Sequence, residues 1–416
     1  MRNTLFIFLY LLAFGLATFL AACKKEAKAP VPPPYESFSS LELLWRNPDL
    51  VGSSNIFGLN SQGNMLLIKA KGFNLIGDFE LINPITSKSI WTWADYKSSD
   101  ERIFNSGIDN LLLKKDIILL NTGKTIYAVN AISGKTIWSQ SFDSIKVTSI
   151  YMDEEDDIYL TYEKAPNNGI IGVISANYNT LNWQTILRFT DTLNNFTYHY
   201  KMAFAKNSKG EKLLLISNDR EIRWDSVINN VSCFNINSRK IEWSKDFLDK
   251  FIERTVEQIA CSNNYLFLTL TDQQNNNEFT ECVNINNGNL VWEKTYSTNG
   301  RRSNVFYLNN NKIIVLNTIT DCFDMETGSL AWQTKHNTEY WDYANNFKQQ
   351  KDLLWFVSNQ KLLALSLNNG NIVFNKITAL PGLSFVSSPF VFEQKQLLYV
   401  FDNYMLNCFK MPIIPK

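Results

Sequence analysis

The chain has 416 residues, in which 40 Lys and Arg balance 40 Asp and Glu. That balance leaves no electrostatic footprint for nucleic acid, whose binding proteins present a basic face. A hydrophobic content of 45% can fill a sizeable core, while a mean hydropathy of −0.18 excludes a body embedded in lipid.

In chain order, Met1-Arg2-Asn3 leads into an apolar run from Leu5 to Leu20, closed by Leu20-Ala21-Ala22-Cys23. This arrangement resembles a bacterial lipoprotein signal ending in a lipobox, so residues 1–22 read as a signal peptide and Cys23 as the lipidated residue, a palmitate-type modification. Several acyl chains on one Cys give stable anchoring, since each buried CH₂ contributes about 0.8 kcal/mol. Residues 23–38 follow as a tether, where Lys24-Lys25-Glu26-Ala27-Lys28 and Pro30-Val31-Pro32-Pro33-Pro34 cannot pack a core and stay extended. In the best-known sorting rule an Asp after the lipidated Cys retains a lipoprotein at the inner membrane. Lys24 stands there, so the expectation is an outer-membrane lipoprotein on the periplasmic or cell-surface face.

From residue 39 to 416 one eleven-residue phrase recurs. Its clearest copies are Cys322-Phe323-Asp324-Met325-Glu326-Thr327-Gly328-Ser329-Leu330-Ala331-Trp332 and the run from Ala128 through Asn130, Ser133 and Gly134 to Trp138. Weaker copies end at Trp91, Trp183, Trp243, Trp292 and Phe374, opening at Leu81, Val173, Cys233, Cys282 and Ala364. Trp45 is a tail without a head, and Cys408-Phe409-Lys410-Met411 is a head without a tail. Successive aromatic ends lie 40 to 60 residues apart. With short β-branched runs between them, such as Ile313-Ile314-Val315-Leu316, that period holds four strands and their turns, the content of one propeller blade. Split ends that complete one another imply a closed ring. The expected fold is therefore all-β, an eight-bladed β-propeller of four-stranded blades, closed by pairing the N-terminal strand with the C-terminal blade. Within the phrase, Asp or Asn bonds the backbone of the turn and Gly supplies its positive φ. The aromatic, on the outer strand, docks one blade against the next, each buried ring contributing roughly 2–3 kcal/mol; Trp45, Trp91, Trp138, Trp183, Trp243, Trp292, Trp332 and Phe374 are the docking residues.

Over about residues 41 to 411 these repeats resemble the tryptophan-docking, PQQ-like repeats of quinoprotein-type propellers. Two branches share the motif: PQQ-dependent alcohol dehydrogenases, and non-catalytic outer-membrane assembly lipoproteins of the BamB type. The first branch carries an adjacent Cys-Cys pair beside its cofactor, a metal held by acidic and amide groups, and a catalytic Asp. This chain has no adjacent Cys pair and no Cys-x-x-Cys-His haem site. Of six cysteines, Cys233, Cys282, Cys322 and Cys408 share the first place of the phrase. On different blades they would be too far apart for disulfides and are read as buried thiols, with Cys261 as another strand residue.

Catalytic constellations are thin. His199 and His336 are the only histidines and have no partner at metal-ligand spacing; no nucleophile elbow or phosphate loop is present. The run Asp153-Glu154-Glu155-Asp156-Asp157 lacks the glycine of an EF-hand and reads as a solvated hairpin tip. No enzyme, cofactor or metal is expected. Function is then expected where copies differ. The longest interval carries an insertion at residues 218–230, read as a loop joining the second and third strands of its blade. The loops linking blades on that same face include Arg301, Arg302, Tyr340 and Trp341. Arg and Trp dominate binding hot spots, so Arg220, Arg223, Trp224, Arg301, Arg302, Tyr340 and Trp341 are the candidate partner-binding residues. The leading expectation is a lipid-anchored, non-catalytic scaffold, monomeric within a complex, that meets the membrane through its anchor alone and binds a protein, by resemblance an envelope-assembly machine. The alternative is a carbohydrate or small-ligand binder using Trp and Tyr platforms around the channel, and the remote one a PQQ-dependent dehydrogenase.

Overall fold

The computed structural model describes residues 41–47, 54–69, 79–86, 88–97, 111–164, 170–190, 200–223, 226–246, 248–249, 252–262, 264–272, 277–297, 305–309, 311–316, 319–335, 347–358, 361–377, 389–402 and 405–411. The signal peptide, Cys23 and the tether lie outside them.

Eight antiparallel sheets form an eight-bladed β-propeller. Blades 1 to 7 fall in chain order, over residues 54–93, 111–141, 145–190, 200–246, 248–297, 305–335 and 348–377. Blade 5 gains a short edge strand, Leu248–Asp249, paired beside its innermost strand. Blade 8 takes three strands from residues 390–410 and its outermost strand, Glu42–Asn47, from the other end of the chain. That strand runs antiparallel to Leu406–Lys410, with Trp45 opposite Cys408. The split phrase is thus rejoined, and the ring closes where the sequence places the closure.

The second strand of each blade is apolar without alternation: Met65-Leu66-Leu67, Leu213-Leu214-Leu215-Ile216, Leu353-Leu354-Trp355-Phe356. A strand covered on both faces needs no polar side, and the packing shows that cover. Leu66 packs with Ile118 and Leu120 of blade 2, whereas its neighbours Met65 and Leu67 pack with Tyr399 and Phe401 of blade 8. Likewise Leu119 joins blade 3 while Ile118 and Leu120 join blade 1. The core is a set of wedges, each shared by two blades.

The phrase forms the outer hairpin. Asp324 Oδ1 accepts from the backbone N–H groups of Glu326 and Thr327 at 3.1 and 2.9 Å, and these bonds hold its carboxyl below the usual carboxylate range. The first residue lies across from the aromatic in Cys322↔Trp332, Cys282↔Trp292, Cys233↔Trp243, Ala128↔Trp138, Leu81↔Trp91 and Ala364↔Phe374, each followed by a β-bulge. The four first-place cysteines are buried, one to a blade; burial pushes the Cys322 thiol up to about 11 and that of Cys282 to about 12.

Four indoles reach the following blade. Trp91 Nε1 donates to Ile132 O at 3.1 Å, Trp243 to Ile285 O at 2.6 Å, Trp292 to Met325 O at 2.9 Å and Trp332 to Leu367 O at 3.3 Å. In each case the ring lies on the turn glycine of that blade. A Cβ at Gly328, whose φ is +64°, would stand 2.7 Å from the Trp292 ring. Glycine here serves two ends, the left-handed turn and the ring's close approach.

The turns of blades 3 and 4 carry Leu181 and Arg239 at positive φ instead of glycine. Trp138 packs on Tyr178 at 5.8 Å, and Trp183 packs back on Phe142 at 5.3 Å. Neither buried indole N–H reaches a carbonyl among the described residues. In blade 3 the copy is also out of step. Val173 lies opposite Leu187, and Asn177 holds the turn by accepting from Asn179 N–H, so Trp183 precedes the outer strand, which starts at Gln184. Phe374 has no donor and packs on Trp355 of its own blade at 5.8 Å.

Trp→Phe substitutions should separate the two kinds of site. Trp292→Phe loses a hydrogen bond worth about 1 kcal/mol, whereas Trp183→Phe removes a buried donor with no acceptor. Both lose similar ring area, so denaturant unfolding should show Trp292→Phe as the less stable by about that amount; equal stabilities would contradict the docking bond.

Candidate partner-binding face

In each blade the turns between strands one and two and between three and four lie on one face, here the turn face. The opposite face holds the turns between strands two and three and the links from blade to blade. Within the segment 218–230, expected as a loop there, residues 218–223 and 226–230 instead form paired strands. Strands Lys212–Arg223 and Ser226–Asn235 run together from Leu213↔Asn235 through Asn218↔Asn230 and Arg220↔Ile228 to Arg223↔Ser226, with a bulge between Glu221 and Arg223. The loop expectation fails because Ile222, Val227 and Ile228 continue a strand pattern that an excess of polar residues disguises.

The innermost strand of blade 4 stops pairing at Tyr200↔Asn218, and the outermost at Asp246↔Asn230. Beyond those pairs the hairpin continues as a two-stranded arm with no other strand beside it among the described residues. Asn230 clamps its base, donating to Ser244 Oγ at 2.8 Å and Asp246 Oδ1 at 2.6 Å while its Oδ1 accepts from Ser232 Oγ at 2.7 Å. Blade 4 is in turn tied to blade 5 by Trp243, by Lys201 Nζ donating to Val256 O at 2.9 Å and by Lys245 on the buried Glu281 at 3.0 Å. The arm therefore stands on a fixed base, the arrangement that presents a binding element with little loss of entropy.

Arg220 and Arg223 lie on this arm, across from Ile228 and Ser226. Trp224 falls between Arg223 and Ser226 in the chain and lies outside the described residues, as do Arg301, Arg302, Tyr340, Trp341, His199 and His336. Among the described residues no cluster of His, Cys, Asp and Glu is placed to hold a metal.

At the other end of the strand that begins with Lys212 lies a group the sequence conceals. The acidic run 153–157 is a hairpin tip with Glu154 and Glu155 exposed, as expected, but its carboxylates are also paired with lysines. Lys212 Nζ lies 2.8 Å from each of Asp153, Glu155 and Asp157, and Lys206 meets Glu155 at 3.0 Å. From blade 2, Lys115 pairs with Asp156 at 3.0 Å, and Lys114 pairs with Glu154 at 3.6 Å and donates to Asp153 O. Asp153 Oδ1 also accepts from the N–H groups of Glu155 and Asp157, leaving its side chain 10% exposed. Each first hairpin of blades 2, 3 and 4 supplies one part, so the partners are separated by almost a whole blade in sequence. At neither of these junctions does the indole N–H reach a carbonyl among the described residues.

Burial opposes the charge on Lys212, but its bonds to Asp153, Asp157 and Glu155 outweigh that and hold its ammonium above the ordinary lysine value. Lys212, then Lys206, hold the Glu155 carboxyl below its ordinary 4.5. A raised cation contributes stability below its unfolded value and loses it only in strong alkali. A depressed carboxylate contributes above its unfolded value and loses it as pH falls through the folded one. Both contributions are full at neutral pH, and the staple weakens in acid. Lys212→Met should cost about 2 kcal/mol at pH 7, because Asp153 is left without its partner, and should flatten the loss of stability between pH 7 and pH 4; denaturation midpoints at the two values check both.

No protein-family model matches the chain, and no curated protein matches it in sequence. Among solved structures the ring is similar to BamB from Moraxella catarrhalis, with a TM-score of 0.52 and 11% identity over 89% of this chain and 100% of that one. The computationally designed Ika8 protein aligns with a TM-score of 0.54 and 10% identity over 90% and 100% of the two chains. The Dos1 propeller aligns at 0.57 and 11% over 89% and 95%. At these identities the likeness is one of fold: the chain is a β-propeller of the architecture these proteins share.

Proposed function

We propose that the chain is a lipid-anchored, non-catalytic propeller of the cell envelope that holds a protein partner on the face bearing the blade 4 arm. The observation that carries this reading is the arm itself, a ribbon paired from Asn218↔Asn230 to Arg223↔Ser226 after the flanking strands have ended. Two strands alone are marginal in water, and their outward backbone groups are suited to adding a strand from another chain. Arg220 and Arg223 add residues favoured at interface hot spots. The Leu20-Ala21-Ala22-Cys23 signal supports an outer-membrane lipoprotein, and the likeness to BamB favours an envelope-assembly machine as the partner.

Shortening the arm tests the reading. Joining Asn218 to Asn230 through a two-residue turn leaves every four-stranded pairing intact, so the unfolding temperature should hold. Crosslinking in membranes followed by detergent extraction should recover the wild-type partner at least about tenfold less from the shortened protein, the scale of one hot spot. Undiminished recovery would exclude the arm. Absence of any protein partner, together with glycan binding lost in Trp341→Ala, would favour a ligand-binding propeller.

A further inference from the structure

The turn face is not uniform around the ring. Exposed aliphatic side chains at the ninth and tenth places of the phrase recur in several blades, among them Leu290 and Leu330, and belong to the repeat. The fifth place, at the tip of the outer turn, differs. Blades 4 to 7 carry Asn237, Asn286, Glu326 and Asn368 there, all exposed. Blades 1 and 2 carry Ile85 and Ile132, 61% and 38% exposed. The backbone of Ile132 is fixed from below by the Trp91 indole, and the Asn83 and Asn130 side chains brace the two tips by accepting from the N–H groups of Ile85 and Ile132. In the adjoining blade 8, Leu43 and Leu44 stand at the ninth and tenth places, 38% and 42% exposed, as the repeat provides. Two consecutive blades therefore present aliphatic tips where blades 4 to 7 are polar. Aliphatics scattered singly on a surface carry no meaning, but a contiguous sector does.

The occupant of this sector follows from where the chain enters. Glu42 pairs with Lys410 at the turn-face end of the closing hairpin, so the residues preceding the described ring join it on blade 8, beside this sector. They hold Cys23, the residue read as lipidated. A Pro-rich spacer at roughly 3.1 Å per residue is long enough to let either face meet a membrane, so the spacer does not choose; the side chains do. Lys88 and Lys135, exposed beside the two tips, complement anionic headgroups. Glu42 is paired with Lys410 at 3.2 Å.

We propose that the turn face of blades 1 and 2 rests on the lipid bilayer, with Ile85 and Ile132 dipping into the headgroup layer and the blade 4 arm on the face turned away. The proposal rests on the lipid-anchor reading of Cys23 and adds an orientation to it. The full acylated protein is reconstituted in vesicles of phosphatidylethanolamine and phosphatidylglycerol carrying doxyl-lipid quenchers. A fluorophore is attached through Ile132→Cys, Asn286→Cys or Ser226→Cys in a Cys261→Ser background, the other ring cysteines being buried. Quenching at residue 132 should exceed that at 286 and 226 by about threefold or more, as expected for a side chain a few ångströms into the interface. Protein that floats with the vesicles but quenches equally at 132 and 286 overturns the docking and leaves the anchor standing. Protein that does not float overturns both. Ile85→Asn with Ile132→Asn, which installs the residue blades 4 and 5 use, should keep the fold and abolish the excess quenching of a label at Ile137→Cys; excess that persists also overturns the proposal.

Discussion

Every blade of this protein is a sheet with two apolar faces, and the rest of the structure depends on covering both. A strand such as Leu213-Leu214-Leu215-Ile216 sends alternate side chains into different interfaces. No blade could hold such faces out of water alone, and a row of blades would leave one bare at each end. Closure is thus a requirement of burial. The strand Glu42–Asn47 meets it by giving the last blade its outer edge and placing Trp45 in the wedge shared with blade 1.

Burial is non-directional and would permit blades to slide; directed bonds on the turn face set their spacing. At four junctions an indole N–H meets a carbonyl above a glycine turn. The two junctions around blade 3 lack that device, and there the first hairpins of blades 2, 3 and 4 are joined by lysines on a carboxylate cluster. The two solutions respond differently to solvent. A bond from a buried indole to a carbonyl is insensitive to salt and pH, whereas a partly exposed ion-pair group is screened and lost in acid. Blade 3 is therefore the part of the ring whose attachment depends on conditions.

The same strand that begins at Lys212, in that cluster, ends in the arm. At about 3.3 Å per residue, twelve residues span the depth of the ring and project past it. Stability and presentation are thus separated along one strand. Its first half is paired on both sides and buried, and its second half pairs only with the other strand of its own hairpin among the described residues. The turn face carries the regular devices of the repeat together with the lysine–carboxylate cluster, and the opposite face carries the arm.

The sequence alone determined the fold, because its signals are local and repeated. An Asx residue, a glycine and an aromatic in one short phrase specify a hairpin, and eight copies with one split across the termini specify a closed ring. It also pointed to the place on the ring where the copies differ. Tertiary structure alone decided what that place is and what the charges do. Residues 218–230 read as a loop because their polar content hides a strand whose pairing depends on a partner segment, and one polar-rich run does not reveal its register. The acidic run read only as a solvated tip because Lys114, Lys115, Lys206 and Lys212 stand a blade away in sequence and become neighbours only when the sheets stack. Trp183 matched the phrase by spacing, yet packs the other way because its turn is held at Asn177. Periodicity carries contacts within one hairpin; contacts between blades belong to the ring.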